Sequence, residues 1–352
     1  MADAPLALPF QPPLPPMLAA IGDGIPRGEG WLYEPKWDGF RCLVYFDGDR
    51  VYLQSRDSRP LGRYFPEVEQ AVRDALPGPM VLDGELVVIT EHGIEFGLLQ
   101  HRLHPAESRV RMLAETLPAA FAAFDLLADG DEDLRDSPLA ERHRRLQQLV
   151  PAERPPVFHT PWTTDPAQAQ DWFERFEGAG FDGVIAKRTD LPYQPGVRSM
   201  MKVKHLRTAD CVVGGFRWAK HAEGSAVGSL LLGLYDAEGV LHHVGHTSSF
   251  KAAEKRELAT LLAPLVTEEE AGGFGRGRTP GTPSRWSSGA ETTWVRLQPS
   301  LVCEVTFDHL QGERFRHGTT FQRWRPDKPP EDCTYSQLDV AVPAELRDLI
   351  GS

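Results

Sequence analysis

WLYEPKWDGFR, residues 31 to 41, runs directly into CLVYF at Cys42 to Phe46, so an apolar aromatic run, a compact polar turn and a second apolar run stand end to end. Pro35 and the turn Trp37-Asp38-Gly39 favour fixed extended and turn geometry, and the aromatic and β-branched residues on either side predict two short strands. Lys36 then falls at a strand edge. An amine there can be held against a pocket, and it becomes a nucleophile once burial or a neighbouring positive charge favours its neutral form. Read alone, the same segment also fits a solvated lysine beside a hairpin turn, because Asp-Gly is a common turn pair.

On the C-terminal side, DRVYLQS adds a third β-like run, and the order suggests meandering antiparallel strands. FPEVEQAVRDAL spaces Val68, Val72 and Leu76 at helical intervals, PGP stops it, and MVLDGELVVI returns to strand character. A basic, histidine-bearing helical candidate follows in LLQHRLHPAESRVRMLAETL, facing DNA or solvent, and then a short strand ending near Leu127. ERHRRLQQLV reads as an amphipathic helix with solvated arginines, and the aromatics of AQAQDWFERF as core. A mixed α/β domain results, with a proline-rich lead over residues 1–30 that lies across it or runs flexibly into it and carries no chemistry.

After KVKHLRTAD the composition changes to CVVGGFRWA, GSLLLGLYD and GVLHHVGHTS, successive strands with glycine-rich bends, so the boundary is expected near Thr208, between domains 31–208 and 209–352. One helix, AAEKRELATLLAPL, and the strands of WVRLQPSLVCEVTFDHLQ complete a pattern that fits a small β-barrel. Arg276, Arg278 and Arg285 with Trp286 and Trp294 lie in a Gly- and Ser-rich stretch that suits either a DNA-facing loop or an ordinary surface loop. His242, His243 and His246 read as strand histidines, since adjacent residues of a strand face opposite ways.

A chain of 352 residues, 41% hydrophobic, has length for two cores. Its net charge of -12 argues against a protein that coats DNA uniformly, while leaving room for a local basic surface. Cys42, Cys211, Cys303 and Cys333 are far apart and lack metal-ligand spacing, which favours reduced structural thiols. The first residues have no positively charged start or unbroken secretory core, and no run has membrane-spanning length, so a cytoplasmic protein without membrane contact is expected.

KWDG at Lys36 to Gly39 resembles the lysine motif K-x-D-G of the ATP-dependent DNA ligases, within a superfamily that also holds RNA ligases and RNA capping enzymes. Further motifs follow in family order: Ser55-Arg56, Asp83-Gly84-Glu85, FDLL from Phe124, DGVIAK from Asp182 to Lys187, KVK from Lys202 to Lys204, and RWRPDK from Arg323 to Lys328. The resemblance spans Trp31 to Lys328 and is nearest to the small two-domain bacterial accessory (LigC-like) type. It implies an adenylating nucleotidyltransferase domain with antiparallel sheets, followed by an OB-fold barrel.

It also implies roles. Lys36 would form a covalent lysyl-AMP with ATP; Arg41, Arg56 and Glu85 would organise the ribose; and Phe124 would stack on adenine, as a flat aromatic face can. Glu34 and Lys187 join the nucleotide contacts, and Lys202 and Lys204 would approach the α-phosphate. Glu85 and Asp182 are hard oxygen donors suited to Mg²⁺ or Mn²⁺. Asp182 stands where the family has glutamate, keeping the carboxylate with one methylene less reach. Arg325 and Lys328 would contact the outer phosphates, and Asp327 would orient the leaving group or a lysine. The partners implied are nicked or broken duplex DNA and end-joining or repair proteins, with the enzyme a monomer serving DNA repair and recombination. An RNA ligase or a capping guanylyltransferase shares this chemistry, and a noncatalytic DNA-binding scaffold would lack it; covalent labelling with ATP against GTP separates them.

Overall fold

The computed structural model describes residues 4–338 except 92, 153–155, 177–179, 205–206, 270–271, 276, 282–292 and 309. Arg276, Arg285 and Trp286 of the Gly- and Ser-rich stretch therefore lie outside the described residues. Two compact units divide the chain at Met1–His205 and Leu206–Asp339, three residues before Thr208, and the first includes the proline-rich lead.

The first unit is built on two main sheets. Strands β1 (Leu18–Ile21), β2 (Trp31–Pro35), β3 (Phe40–Phe46), β4 (Val51–Ser55), β5 (Met80–Val87), β6 (Ala120–Asp129), β7 (Val157–His159), β8 (Gly183–Arg188) and β9 (Arg198–Lys204) are its main strands. The larger sheet runs β7-β6-β5-β3-β4 and the smaller β1-β9-β8-β2. Pairing is antiparallel as the meander predicts, except that β1 lies parallel to β9 and β7 parallel to β6. Helix α1 (Pro66–Ala75) starts on a proline, with Val68 and Val72 fully buried, as the spacing of its apolar residues requires. The histidine-bearing stretch forms two helices rather than one, α2 (Phe96–His101) and α3 (Glu107–Thr116), separated at Pro105, which cannot continue a helix interior.

Helix α4 (Leu139–Leu149) corrects one expectation. Arg144 and Arg145 sit at its surface paired with Glu141, but Arg142 is fully buried, donating to both carboxylate oxygens of Asp125 at 2.8 and 2.9 Å. Periodicity places Arg142 beside the buried His143 and Leu146, and only the tertiary partner explains why a charge is tolerated there. Burial works against the Asp125 carboxylate, and Arg142 outweighs it, holding the carboxyl below its usual range. Helix α5 (Pro166–Arg175) is capped by Asp165 and buries Trp172, with Phe176 just beyond its end also in the core.

In the second unit β10 (Arg207–Trp218), β11 (Val227–Tyr235), β12 (Leu241–Thr247), β13 (Val302–Phe307) and β14 (Thr320–Trp324) form an antiparallel sheet in the order β12-β11-β10-β13-β14, with helix α6 (Ala252–Leu262) packed on β11. Its core gathers Val212, Phe216, Leu230, Leu232, Val244, Phe274 and Val305. All four cysteines are buried and free. His242 bonds Asp236 at 2.8 Å while His243 packs on the ring of Phe274, the opposite facing expected of neighbours in a strand.

Candidate active site

Lys36 is fixed by its own backbone. Its N–H donates to the carbonyl of Gly183 and its carbonyl accepts from the N–H of Asp182, both at 2.9 Å, which binds the K-x-D-G turn to the start of β8. Gly183 has φ +126, and a Cβ there would fall 2.0 Å from the Val203 carbonyl oxygen, so only glycine permits this approach. Gly39 has the same function on the other side: a Cβ would lie 2.1 Å from the Leu86 carbonyl oxygen and 2.8 Å from the Glu85 Cγ, so its absence lets the turn close onto β5. Trp37 anchors the turn, buried against Phe158 and Phe181 with its indole N–H on the Thr160 hydroxyl at 2.8 Å.

The side chains converge on a pocket of ≈ 500 Å³ whose wall includes Glu34, Lys36, Arg41, Arg56, Glu85 and Phe124, with Lys187 and Lys202. All four strands of the smaller sheet contribute. Register explains how: Ile185 on β8 is lateral to Glu34 on β2 and to Lys202 on β9, and Lys202 is lateral to Ile21 on β1, so one row of four residues crosses the sheet and lines the pocket throughout.

The Phe124 ring has two cations against it, the Arg41 guanidinium 4.6 Å and the Lys187 ammonium 4.5 Å from its centroid. Arg41 is held bidentately by the fully buried Asp83 at 2.5 Å. Lys187 pairs with Glu34 at 2.7 Å and donates to the Phe124 carbonyl at 2.9 Å, while Oε1 of Glu34 is buried with no hydrogen-bond partner. An unpartnered buried acceptor in a pocket wall is costly unless a ligand donor meets it. Burial pushes the Glu34 carboxyl up to about 7 against the pull of Lys187. Glu85 is likewise pushed up to about 7 by burial, against Arg41 and Lys36.

Asp182 and Lys204 reach the site through Lys36 rather than through the wall: Asp182 forms ion pairs with Lys36 and, at 2.9 Å, with Lys204. Burial first, then the like charges of Lys204 and Lys36, bring the Lys202 ammonium below its usual range. Sequence reasoning missed Pro16, Leu18 to Ile21, Ile185, Arg198 and Met200 in this wall. Alternation along β9 carries a signal for Arg198 and Met200, which share a strand face with Lys202. Nothing in the lead signals its part, because its pairing with β9 spans about half the chain.

In the second unit Arg325 is bound twice, by Asp210 at 2.8 and 3.0 Å and by Asp327 at 2.8 Å, with Glu304 at 3.6 Å. Arg323 pairs with Glu304 at 2.8 Å. Among the described residues Lys328 makes no ion pair.

Residues 16–204 match the family model of the ATP dependent DNA ligase domain, and residues 223–328 that of the ATP dependent DNA ligase C terminal region. The chain belongs to the ATP-dependent DNA ligase family. It is 49% identical to DNA ligase C of Mycobacterium tuberculosis, over 98% of this chain and 99% of that protein, and 50% identical to DNA ligase C2 of Mycolicibacterium smegmatis, over 94% and 96%. These similarities bear out the small accessory ligase type. The fold also resembles a solved structure described as a Lig E DNA ligase, with a TM-score of 0.53 at 18% identity, covering 88% of this chain and 98% of that one. The two-domain ligase architecture of adenylation domain and OB-fold is thus the one the motif order implies.

Proposed function

We propose that the pocket is where this ligase adenylates itself. Lys36 attacks the α-phosphorus of ATP and pyrophosphate leaves; AMP then passes to a 5′-phosphate of DNA, and a 3′-hydroxyl displaces it to close the strand. The observation that carries this is the composition of the wall: Lys36, Arg41, Arg56, Lys187, Arg198 and Lys202 share it with only Glu34 and Glu85, and with Asp83 pairing Arg41 and Asp182 pairing Lys36 from outside it, cations still remain in excess around one aromatic ring. A base with attached phosphates supplies what that wall lacks, a flat π-face for Phe124 and anionic oxygens for the cations. The open acceptor of Glu34 suits an exocyclic amine such as that of adenine.

Lys36 acts as a nucleophile only with a lone pair, and in this arrangement its amine is ion-paired to Asp182. Asp182 and Glu85 are the residues that would hold Mg²⁺ or Mn²⁺. Carboxylate oxygens, with phosphate oxygens and water at the remaining positions, are a donor set that both metals accept. Such a cation would neutralise the reacting phosphate and draw Asp182 away from Lys36. Lys204 shares Asp182 with Lys36, and Lys202 lines the same wall, so both would be at hand for the phosphate oxygens.

Similarity to a Mycobacterium bovis protein named multifunctional non-homologous end joining protein LigD, 34% identical over 91% of this chain and 39% of that protein, supports recruitment by end-joining or repair proteins. The enzyme works as a cytoplasmic monomer in this reading; no helix among the described residues is long and apolar enough to cross a membrane. The test is covalent labelling by radiolabelled ATP and GTP, followed by sealing of nicked, gapped and blunt duplexes with each metal. A protein-AMP adduct and ATP-dependent sealing of nicked DNA are expected; strong protein-GMP with little AMP would move the chain to the capping guanylyltransferases.

A further inference from the structure

The lead is clasped along its length by side chains of the first unit. Arg50 donates to the carbonyls of Ala4 and Pro5, and the buried Gln54 amide both donates to and accepts from the Leu14 backbone. Met17 is held at both ends: its N–H donates to the Tyr193 hydroxyl at 2.9 Å, and its carbonyl accepts from Arg41 at 3.1 Å. The Tyr193 hydroxyl in turn donates to Asp83 at 2.7 Å, the carboxylate that fixes Arg41 over Phe124. One residue beyond Met17, β1 begins and supplies Leu18, Ala19, Ala20 and Ile21 to the pocket wall. Ile21 is 76% exposed although it ends the row that contains Lys202 and Glu34.

We propose that the lead is a positioning strap for the nucleotide, with Tyr193 as the residue that locks it: its hydroxyl joins β1 to the Arg41 and Asp83 pair, so that the ring, its cation and the outer wall are set as one unit. The proposal rests on the nucleotide reading of the pocket. Tyr193 is buried and outside the wall, so it acts through Met17 and Asp83 rather than on the substrate. Because β1 and β2, the strand that Lys36 directly follows, are opposite edges of the smaller sheet, loosening the strap should weaken nucleotide capture and leave the reacting atoms in place.

Tyr193→Phe removes only the hydroxyl. For self-adenylation we expect KM for ATP to rise about three- to tenfold with kcat within about twofold of the parent, and faster amide exchange across residues 17 to 22. A second pair of variants does not depend on a buried site: Ile21→Asp sets a carboxylate beside Lys202 and should raise KM for ATP about tenfold or more, whereas Ile21→Asn should raise it much less. Unchanged KM in Tyr193→Phe despite faster exchange, lost kcat at unchanged KM, or equal KM for both Ile21 variants would each overturn the strap. Failure of the parent protein to form an adduct with ATP would instead overturn the nucleotide reading beneath it.

Discussion

The pocket of the first unit and the RWRPDK segment of the second both concentrate positive charge, and they neutralise it to different extents. In the pocket wall six cations meet two carboxyls, Asp83 and Asp182 pair Arg41 and Lys36 from outside the wall, and each of the two wall carboxyls is pushed up to about 7, which thins the negative charge further at neutral pH. In the RWRPDK segment Arg323 and Arg325 are already matched by Glu304, Asp210 and Asp327. Charge that the protein neutralises itself organises a loop, whereas charge left in excess in a concave wall is available to an anion. Arg325 is thus paired with Asp210 and Asp327, whereas Lys328 makes no ion pair among the described residues.

The largest effect is expected at Lys36. Lys36→Ala should abolish the covalent AMP adduct, read by intact mass after incubation with ATP, while circular dichroism and melting stay close to the parent, because the backbone bonds to Asp182 and Gly183 do not involve the side chain. Persistence of the adduct would show that the excess charge serves another nucleophile.

Next is Asp182, the carboxylate that ion-pairs with Lys36 and that is proposed as a ligand of the cation. Asp182→Ala should slow self-adenylation on the order of 10²-fold, and Asp182→Glu should retain much more, if coordination rather than charge balance is its role. Equal rates for the parent and Asp182→Ala across metal concentrations would remove Asp182 from the reaction.

The fold and most of the wall were legible because their signals are local. KWDG, DGE and DGVIAK each pair a functional side chain with a glycine that a close backbone approach demands, as Gly39 and Gly183 show, and alternation in KVK puts Lys202 and Lys204 on one face of β9. What escaped depends on distant partners. Arg142 reads as one more surface arginine until Asp125 is brought to it, and the lead reads as a proline-rich approach until β9 pairs with it. Tyr193 has no local signature, since its role comes from bonds to Met17, 176 residues away, and to Asp83, 110 residues away.

Lys328 tests the other side of the comparison. Lys328→Ala should slow protein adenylation on the order of 10²-fold and affect joining of pre-adenylated nicked DNA far less, because pyrophosphate departs only in the first reaction. Single-turnover rates for both steps, with the same two proteins, measure the difference. Arg325→Ala should instead impair both, since Asp327 and Asp210 lose their shared partner. A severe defect confined to joining in Lys328→Ala would overturn its first-step role.

The smallest expected effect is on pH dependence, and it follows from the two carboxyls of the wall. Burial raises Glu85 to about 7, so the ligand-free enzyme carries mostly the acid below that pH and mostly the carboxylate above it. If the ionised form receives the ribose hydroxyls and the cation, kcat/KM for ATP, which reports the free enzyme, should climb about tenfold between pH 6 and pH 8. Glu85→Gln keeps the shape and cannot ionise, so the rise centred near 7 should vanish. Glu34 is also placed at about 7, by burial against Lys187, and Glu34→Gln is therefore the necessary partner experiment. Loss of the inflection in Glu34→Gln with its survival in Glu85→Gln would transfer the titration to Glu34 and put the sensitive acid at the base rather than at the ribose. Survival in both would mean that neither carboxyl controls capture, and that the excess positive charge alone determines how tightly the pocket takes ATP.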